Sequence, residues 1–151
     1  MKKKVLFISD FYTSCDFTEM VCYGLGSCIG LFLQDRRLKI TSGAHIPVVK
    51  TCVNTGFLSA EEIVYKMFTQ LGELGSDLKA LRAKVVGGAN LYNSSFEIGK
   101  RNIEAINELL LYNKVYIAGQ DLGGNVARTV HFVSTTGECH IQTSSSKGYI
   151  I

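Results

Sequence analysis

The sequence predicts an α/β sandwich, with helices on the outer face of stacked, mostly antiparallel β-sheets. Three observations favour this fold class. Predicted strands outnumber predicted helices, and most of them are short apolar segments bounded by turn residues. Several of these segments follow one another across short polar turns, as the strands of hairpins do. Two longer segments repeat apolar residues at helical spacing, and each needs a sheet on which to bury that face.

Length and composition predict one domain over residues 1–151. The chain is 46% hydrophobic, and no Pro- or Ser-rich linker divides it. Its formal charge of +3 is modest and its basic residues are scattered, which disfavours nucleic acid as a partner. No apolar segment approaches the roughly 20 residues that span a bilayer, and too few apolar residues follow the first lysines for a signal peptide. We therefore expect a cytoplasmic protein without membrane insertion.

The cysteines are informative about the compartment. There are five, an odd number, and no two of them form a Cys-x-x-Cys pair. This pattern fits a reducing compartment better than a disulfide framework, and it disfavours structural zinc. Cys15 and Cys52 fall in predicted loops, and we interpret both as incidental.

The first half of the chain is predicted to be mostly strand. Its predicted strands are apolar stretches next to polar or glycine-rich residues: Lys4–Ser9, Glu19–Tyr23, Ile29–Leu33 and Lys39–His45. We expect a loop over Asp10–Thr18 and a hairpin turn over Gln34–Arg37. Pro47 ends the last of these strands, because proline forces the preceding residue into an extended conformation.

The second half alternates helices and strands. Ser59–Glu62 has the pattern of a capping box, and the helix that it opens has stopping points at Gly72 and Gly75. A further helical turn is expected over Ser76–Leu81. A second helix is predicted over Ile98–Leu111, with an apolar side marked by Ile98, Asn102, Ile103, Ala105, Ile106, Leu109 and Leu110. The predicted strands are Ala83–Val86, Val115–Ala118, Thr129–Val133 and Glu138–Gln142, with a turn over Asp121–Asn125.

The last predicted hairpin has a simple register that places His131 opposite His140. Two imidazoles across a strand pair can bind a metal, but no third ligand is apparent, because Cys139 points to the opposite face. We therefore expect no metal site here. The segment 143–151 is serine-rich and then apolar, and the sequence leaves open whether it is loose or docks on a neighbour.

A single cysteine lies within a glycine-rich stretch, Tyr23-Gly24-Leu25-Gly26-Ser27-Cys28-Ile29-Gly30. The glycines allow the backbone to lie close to another molecule. A thiol is mostly protonated at neutral pH and needs a base to become a nucleophile. The predicted hairpin brings His45 beside Cys28, so the pair is a candidate nucleophile and base. The alternative, a buried core cysteine and a satisfied core histidine, stays open on spacing alone.

Further motifs follow in order: Ser42-Gly43-Ala44-His45, Ala83-Lys84-Val85-Val86-Gly87-Gly88-Ala89-Asn90, Ile98-Gly99-Lys100-Arg101-Asn102 and Asp121-Leu122-Gly123-Gly124. Together with Gly26-Ser27-Cys28-Ile29-Gly30, they resemble the chemoreceptor glutamine deamidases of bacterial chemotaxis, the CheD family. The resemblance runs from about Met20 to Gln142. It implies an α-β-β layered sandwich and hydrolysis of receptor glutamine side chains to glutamate, with release of ammonia.

The resemblance also implies residue roles. Cys28 would be the nucleophile of this protein-glutamine glutaminase, and His45 would be its base. A third catalytic position falls on Cys22, where the family usually has threonine, whose hydroxyl would orient the histidine. Since a thiol is a weak acceptor, Thr41 or a backbone carbonyl is an alternative orienting group. The implied substrate-binding residues line the cleft: Gly26, Ser27, Gly87, Gly88 and Asn90.

The implied partners are the cytoplasmic helices of methyl-accepting chemoreceptors and a CheC-type phosphatase of the chemotaxis response regulator, and no cofactor is implied. Two rival functions stay open. One is a catalytically weak binding module that regulates the CheC-type phosphatase. The other is a cysteine hydrolase that acts on another amide, such as a peptidase.

Overall fold

The computed structural model describes residues 1–47, 58–92 and 97–151. Within these ranges the strands are β1 (Lys2–Val5), β2 (Phe11–Ser14), β3 (Thr18–Leu25), β4 (Ile29–Asp35), β5 (Ile40–Ile46), β6 (Leu81–Gly87), β7 (Tyr116–Leu122), β8 (Arg128–Val133), β9 (Glu138–Thr143) and β10 (Ser146–Ile150). The helices are α1 (Ala60–Glu73) and α2 (Ile98–Tyr112), with a 3₁₀ turn over Leu78–Ala80. The predicted loop that contains Cys52 lies outside the described residues.

The strands form two five-stranded sheets. The outer sheet has the order β1-β3-β8-β9-β10, and the central sheet has the order β2-β5-β4-β6-β7. Neighbouring strands are antiparallel, except for the parallel pairs β1–β3 and β6–β7. The mostly antiparallel topology is the one predicted from the short, hairpin-linked strands.

Two apolar layers hold the sandwich together. One layer lies between the helices and the central sheet and includes Leu31, Met67 and Ile106. The other lies between the two sheets, where Phe32 stacks on Phe132 with ring centroids 4.9 Å apart. All seven residues of β4 are buried, because this strand is covered on both faces. The arrangement is helices, central sheet, outer sheet, which confirms the α-β-β layered fold.

The predicted helix signals are confirmed, with one correction. The Ser59 hydroxyl accepts a hydrogen bond from the Glu62 backbone N–H at 3.2 Å, and Gly75 follows α1 with φ at +97°. The buried face of α2 consists of Gly99, Asn102, Ile106 and Leu110. Ile98 was predicted on that face but is 44% exposed. The residue of the first turn that packs inwards is Gly99, which lies against the backbone of Gly88 and Ala89.

The prediction of a loop over Asp10–Thr18 was wrong, because strand β2 lies within it. Phe11–Ser14 forms the edge of the central sheet and pairs with β5. The polar residue of this strand that faces α1 is Thr13, and its hydroxyl donates a hydrogen bond to Gln70 Oε1 at 2.6 Å. An edge strand of this kind is only half-buried, so it lacks the apolar signal of β4.

Several predicted boundaries also shift. Strand β4 continues to Asp35, so the hairpin turn covers 36–39 and not Gln34–Arg37. The buried carboxylate of Asp35 makes this extension possible, because it accepts hydrogen bonds from the Leu38 N–H at 3.0 Å and the Ser76 hydroxyl at 2.9 Å. Strand β1 ends at Val5, four residues before the predicted end. Strand β7 continues through Leu122, into the predicted turn.

The carboxyl-terminal half of the outer sheet follows the predicted register, with His131 opposite His140. Each imidazole lies near a carboxylate: His131 Nδ1 is 3.0 Å from Glu19, and His140 Nε2 is 3.3 Å from Glu138. The described residues contain no group of three or more potential metal ligands. The tail forms β10, and its Tyr149 hydroxyl donates to Asp121 at the end of β7.

No helix in the described ranges has the length and apolar character needed to cross a membrane.

Candidate active site

The β4–β5 hairpin brings Cys28 and His45 together where the start of β4 lies beside the end of β5, two neighbouring strands of the central sheet. Gly30 pairs with His45 and Ile29 with Ile46, so Cys28 lies beside the end of β5, as the sequence predicts. Positions 28 and 30 lie on the same face because side chains alternate along an extended chain. That face is the one towards the outer sheet, where the half-buried Cys28 packs against the layer between the sheets.

The imidazole of His45 is buried, with 5% of the residue exposed. Its Nδ1 lies 3.0 Å from the backbone carbonyl oxygen of Leu6. A carbonyl oxygen can only accept, so Nδ1 carries the proton and the neutral ring keeps its lone pair on Nε2. Burial lowers the pKa of His45, although the Leu6 carbonyl and the nearby Asp10 oppose this shift. The histidine is therefore a neutral imidazole whose basic nitrogen is Nε2.

Backbone hydrogen bonds also fix the position of His45. Its N–H donates to the Asp10 carbonyl at 3.0 Å, and its carbonyl accepts from the Ser9 N–H at 2.8 Å. Both partners lie in the connection from β1 to β2. The same connection thus holds the ring through Leu6 and the main chain through Ser9 and Asp10.

The thiol of Cys28 is protonated in the resting protein. Burial raises its pKa, and the residue's own backbone N–H partly opposes this effect. Among the described residues, no hydrogen bond joins Sγ to His45. The two groups therefore rest as a neutral thiol and a neutral imidazole at neutral pH.

Cys22 is on β3, fully buried between the sheets, and its thiol donates weakly to the Ala44 carbonyl with a sulfur–oxygen distance of 4.0 Å. Burial strongly raises its pKa, so it is a neutral thiol. Cys22 makes no hydrogen bond to His45 in the described structure. The Leu6 carbonyl occupies the position on Nδ1 that the family resemblance implies for the side chain at position 22, and it is a backbone carbonyl, the kind of alternative group predicted for this role.

The glycines at the end of β6 lie against the loop that contains Cys28. The Gly88 N–H donates to the Cys28 carbonyl at 2.9 Å, and the Ala89 N–H donates to the Gly26 carbonyl at 2.8 Å. Gly87 has φ at +119°, and a Cβ added there would overlap the Cys28 carbonyl. Glycine is needed at this position for both reasons. The close backbone approach that the sequence indicates is thus made to the cysteine loop itself.

The other predicted cleft residues lie around the same loop. The Asn90 N–H donates to the Gly124 carbonyl at 2.9 Å, which ties the end of the glycine segment to the turn after β7. Ser27 and Asn90 line a cavity of about 220 Å³ beside Cys28, together with Ala89, Leu91, Tyr92, Ile98 and Gly99. Gly26 lies under Leu91, since a Cβ added at Gly26 would come within 2.9 Å of the leucine side chain.

Four residues of the site were not predicted as site residues from the sequence. A backbone carbonyl was predicted as an alternative orienting group, but not which one, because a backbone atom gives no residue-specific signal that would identify Leu6. The exposed Tyr92 and the neighbouring Leu91 follow a glycine segment with no periodicity. Asn102 does give a signal, since it is a polar residue on the buried face of an amphipathic helix, and such residues require hydrogen-bond partners. Its side-chain NH₂ donates to the Ser27 carbonyl at 2.8 Å and to the Pro47 carbonyl at 3.2 Å.

This arrangement defines the class of the candidate site: a thiol and a neutral imidazole at one sheet edge, the pair that cysteine hydrolases use. A family profile described as CheD, chemotactic sensory transduction, matches residues 55–143. A probable chemoreceptor glutamine deamidase CheD of Archaeoglobus fulgidus is 35% identical over 127 residues, covering 80% of this chain and 81% of the relative. The chain belongs to the CheD family of chemotaxis proteins.

Two further relatives extend the similarity over more of the chain. A probable chemoreceptor glutamine deamidase CheD of Clostridium kluyveri is 32% identical over 145 residues, with 90% of both chains covered. The chemoreceptor glutamine deamidase CheD of Thermotoga maritima is 30% identical over 139 residues, covering 90% of this chain and 88% of the relative. The profile match begins after His45, so it rests on the scaffold from α1 to β9.

Proposed function

We propose that this protein hydrolyses glutamine side-chain amides of chemoreceptors to glutamate and releases ammonia. The observation that carries the proposal is the hairpin edge where Cys28 lies beside His45, whose Nε2 is free of a proton. The names of the relatives support the substrate, since they describe chemoreceptor glutamine deamidases. Chemoreceptors present their modified helices to the cytoplasm, which is where we propose that the protein acts.

In the proposed reaction, His45 Nε2 takes the proton of the Cys28 thiol as Sγ attacks the carboxamide carbon. The carbonyl oxygen becomes an oxyanion, which the Cys28 backbone N–H stabilises. His45 returns the proton to the departing nitrogen, ammonia leaves, and a thioester remains. Water, deprotonated by His45, then attacks the thioester. Glutamate leaves and the thiol regains its proton, with no step that needs a metal or an organic cofactor.

Burial decides when the thiolate forms. It raises the pKa of Cys28 and lowers the pKa of His45, so a resting thiolate–imidazolium pair is disfavoured. Proton transfer therefore accompanies the attack on the bound amide and does not precede it. This is general-base catalysis, in which the base is already in its active form at neutral pH.

Exposed apolar residues beside the site support a protein partner. Phe7 is 70% exposed and Ile8 is 47% exposed, and both follow Leu6, the residue that holds His45. Leu91 and Tyr92 flank the other side, next to Gly26. Apolar surface on both sides of a cleft is typical of a protein-binding site. We propose that a receptor helix binds here, and that a CheC-type phosphatase is a second partner of the protein.

The test is to incubate the wild-type protein with the cytoplasmic fragment of a chemoreceptor. We expect ammonia release that matches the number of glutamines converted to glutamate, as counted by intact mass and located by peptide mapping. A protein that binds a CheC-type phosphatase but releases no ammonia would favour the binding-module alternative. Cleavage of the receptor backbone would favour a peptidase.

The pH dependence provides a separate prediction. The base must be neutral, and burial places the pKa of His45 below its ordinary value of 6.5. As pH falls, the active form is therefore lost only below that value. We expect the acidic limb of kcat/KM, measured between about pH 5 and about pH 8, to have its midpoint under 6.5. A midpoint above 6.5 would indicate a different base.

Cys22→Thr tests which group orients His45. The family resemblance predicts that a threonine hydroxyl at this position would speed the reaction severalfold or more. Because Leu6 already holds Nδ1, we now expect the single-turnover rate to stay within about threefold of the wild type. The threonine hydroxyl can donate to the Ala44 carbonyl, which Cys22 already contacts. A tenfold or larger increase would show that position 22, and not the Leu6 carbonyl, controls the imidazole.

A further inference from the structure

Asn102, on helix α2, connects the segment next to Cys28 with the segment next to His45. It lies on the buried face of α2 with 2% of its surface exposed. Its NH₂ group donates one hydrogen bond to the Ser27 carbonyl at 2.8 Å and one to the Pro47 carbonyl at 3.2 Å. Ser27 directly precedes Cys28, and Pro47 is the second residue after His45. One side chain therefore holds the segments next to both reacting groups.

The orientation of the Asn102 amide is fixed by its partners. Both partners are carbonyl oxygens, which only accept, so the nitrogen must face them. The oxygen Oδ1 points elsewhere and is buried without a hydrogen-bond partner in the described part of the chain. An unpaired buried acceptor destabilises the folded state, so an apolar residue would suit this position better if packing alone mattered. What Asn102 supplies is its two donors.

The contact with Ser27 also sets the direction of the Cys28 N–H. The described structure contains no cis peptide bond, and in a planar trans peptide the C=O and N–H groups point in opposite directions. When Asn102 draws the Ser27 carbonyl towards α2, the Cys28 N–H must point away from α2. The N–H and the Sγ-bearing side chain of Cys28 are carried by the same Cα, so this N–H is close to the atom that attacks the amide. When Sγ attacks an amide carbon, the oxyanion on that carbon would meet this N–H.

We propose that Asn102 is a positioning residue of the deamidation reaction. It fixes the Ser27–Cys28 peptide so that the Cys28 N–H faces the oxyanion, and it joins this peptide to the segment after His45. The role rests on the proposed function, because it assumes that Cys28 attacks an amide. Asn102 itself does not touch the substrate.

The test compares Asn102→Ala and Asn102→Asp with the same changes at Asn107. Asn107 is a matched control in α2, since its Oδ1 is also buried without a partner in the described structure. Loss of one oxyanion donor typically lowers kcat by about 10²-fold, so we expect the Asn102 variants to lose at least about tenfold in kcat. KM for the receptor fragment should change by less than about threefold, because the N–H contact matters most in the transition state. The Asn107 variants should keep the wild-type kcat.

A second measurement does not depend on turnover. Alkylation of Cys28 by iodoacetamide, followed by peptide mass spectrometry across pH, reports the ionisation of its thiol. Asn102→Ala should move the midpoint to higher pH, because the N–H that favours the Cys28 thiolate is no longer held. Asn107→Ala should not move it. Asn102→Asp places a carboxylate oxygen opposite two carbonyl oxygens, which repel it. If this variant does not fold, the comparison of Asn102→Ala with Asn107→Ala decides the test.

The outcomes separate this inference from the proposed function. A wild-type protein that releases no ammonia overturns the function, and the alkylation profile still reports whether Asn102 holds the peptide. An active wild type with an unchanged kcat and an unchanged midpoint in Asn102→Ala overturns only the positioning role. A rise in KM at constant kcat also overturns it, as does an equal loss of kcat in Asn107→Ala.

Discussion

Cys28→Ala is expected to abolish ammonia release from a receptor fragment, with a loss on the order of 10⁴-fold or more. The reason is that no other group in the described site can form the thioester: Cys22 is fully buried on β3, and burial raises its pKa far above neutrality. The fold should persist, because Cys28 is only half-buried and the change removes a single sulfur atom. Ammonia release and the melting temperature are measured on the same samples.

Cys15→Ala is the control for this experiment. Cys15 is exposed, at the opposite end of the sandwich from the β4–β5 edge, so its removal should leave the deamidation rate unchanged. If Cys28→Ala keeps more than about a tenth of the wild-type rate, Cys28 is not the nucleophile. Binding of the receptor fragment should survive in Cys28→Ala, which separates loss of chemistry from loss of the surface.

The hairpin that forms the candidate site was predictable from local sequence. Two apolar runs flank a polar turn, which is enough to predict that the start of β4 lies beside the end of β5. The exact pairing of Gly30 with His45 depends on the observed turn over 36–39, because the predicted turn over Gln34–Arg37 would pair Gly30 with Thr41. The register of His131 with His140 was predicted from the same kind of pattern. In both cases the partners are close in the chain, so alternation and turn length determine the contact.

Contacts between distant segments were not predictable in this way. The Leu6 carbonyl reaches His45 because β1 pairs with β3 in the outer sheet while β2 crosses to the central sheet. No periodicity in residues 1–14 encodes that crossing, and β2 is too short and polar to be recognised as a strand. The tail was ambiguous for a related reason, since all five residues of β10 are exposed and only pairing with β9 orders them as a strand.

The close approach at Gly87 lies between these cases. The sequence indicated that small residues follow β6 and that something lies close to them. It did not indicate that the neighbour is the Cys28 carbonyl, which is brought there by the antiparallel pairing of β4 with β6. The position therefore links the stability of the central sheet to the geometry of the candidate nucleophile.

Gly87→Ala is the substitution expected to disturb both properties most. An alanine at φ +119° is strained by about 1–3 kcal/mol, and its Cβ overlaps the carbonyl of Cys28. That neighbour is backbone and cannot move aside by changing rotamer, so the loop must shift. We expect the free energy of unfolding to fall by about 3 kcal/mol or more. In the protein that remains folded, kcat should fall by about 10²-fold, because a shift near 1 Å misplaces the thiol.

Gly148→Ala separates the strain from the overlap. Gly148 has a similar backbone conformation, with φ at +104°, but a Cβ there would meet nothing closer than the Ile141 carbonyl at 3.5 Å. It lies on β10, and the described structure places it outside the Cys28 site. In this variant the free energy of unfolding, measured by chemical denaturation, should fall only by the backbone strain of about 1–3 kcal/mol. Its kcat should be unchanged. Equal losses of stability and activity in the two variants would mean that the contact between Gly87 and Cys28 has no particular effect.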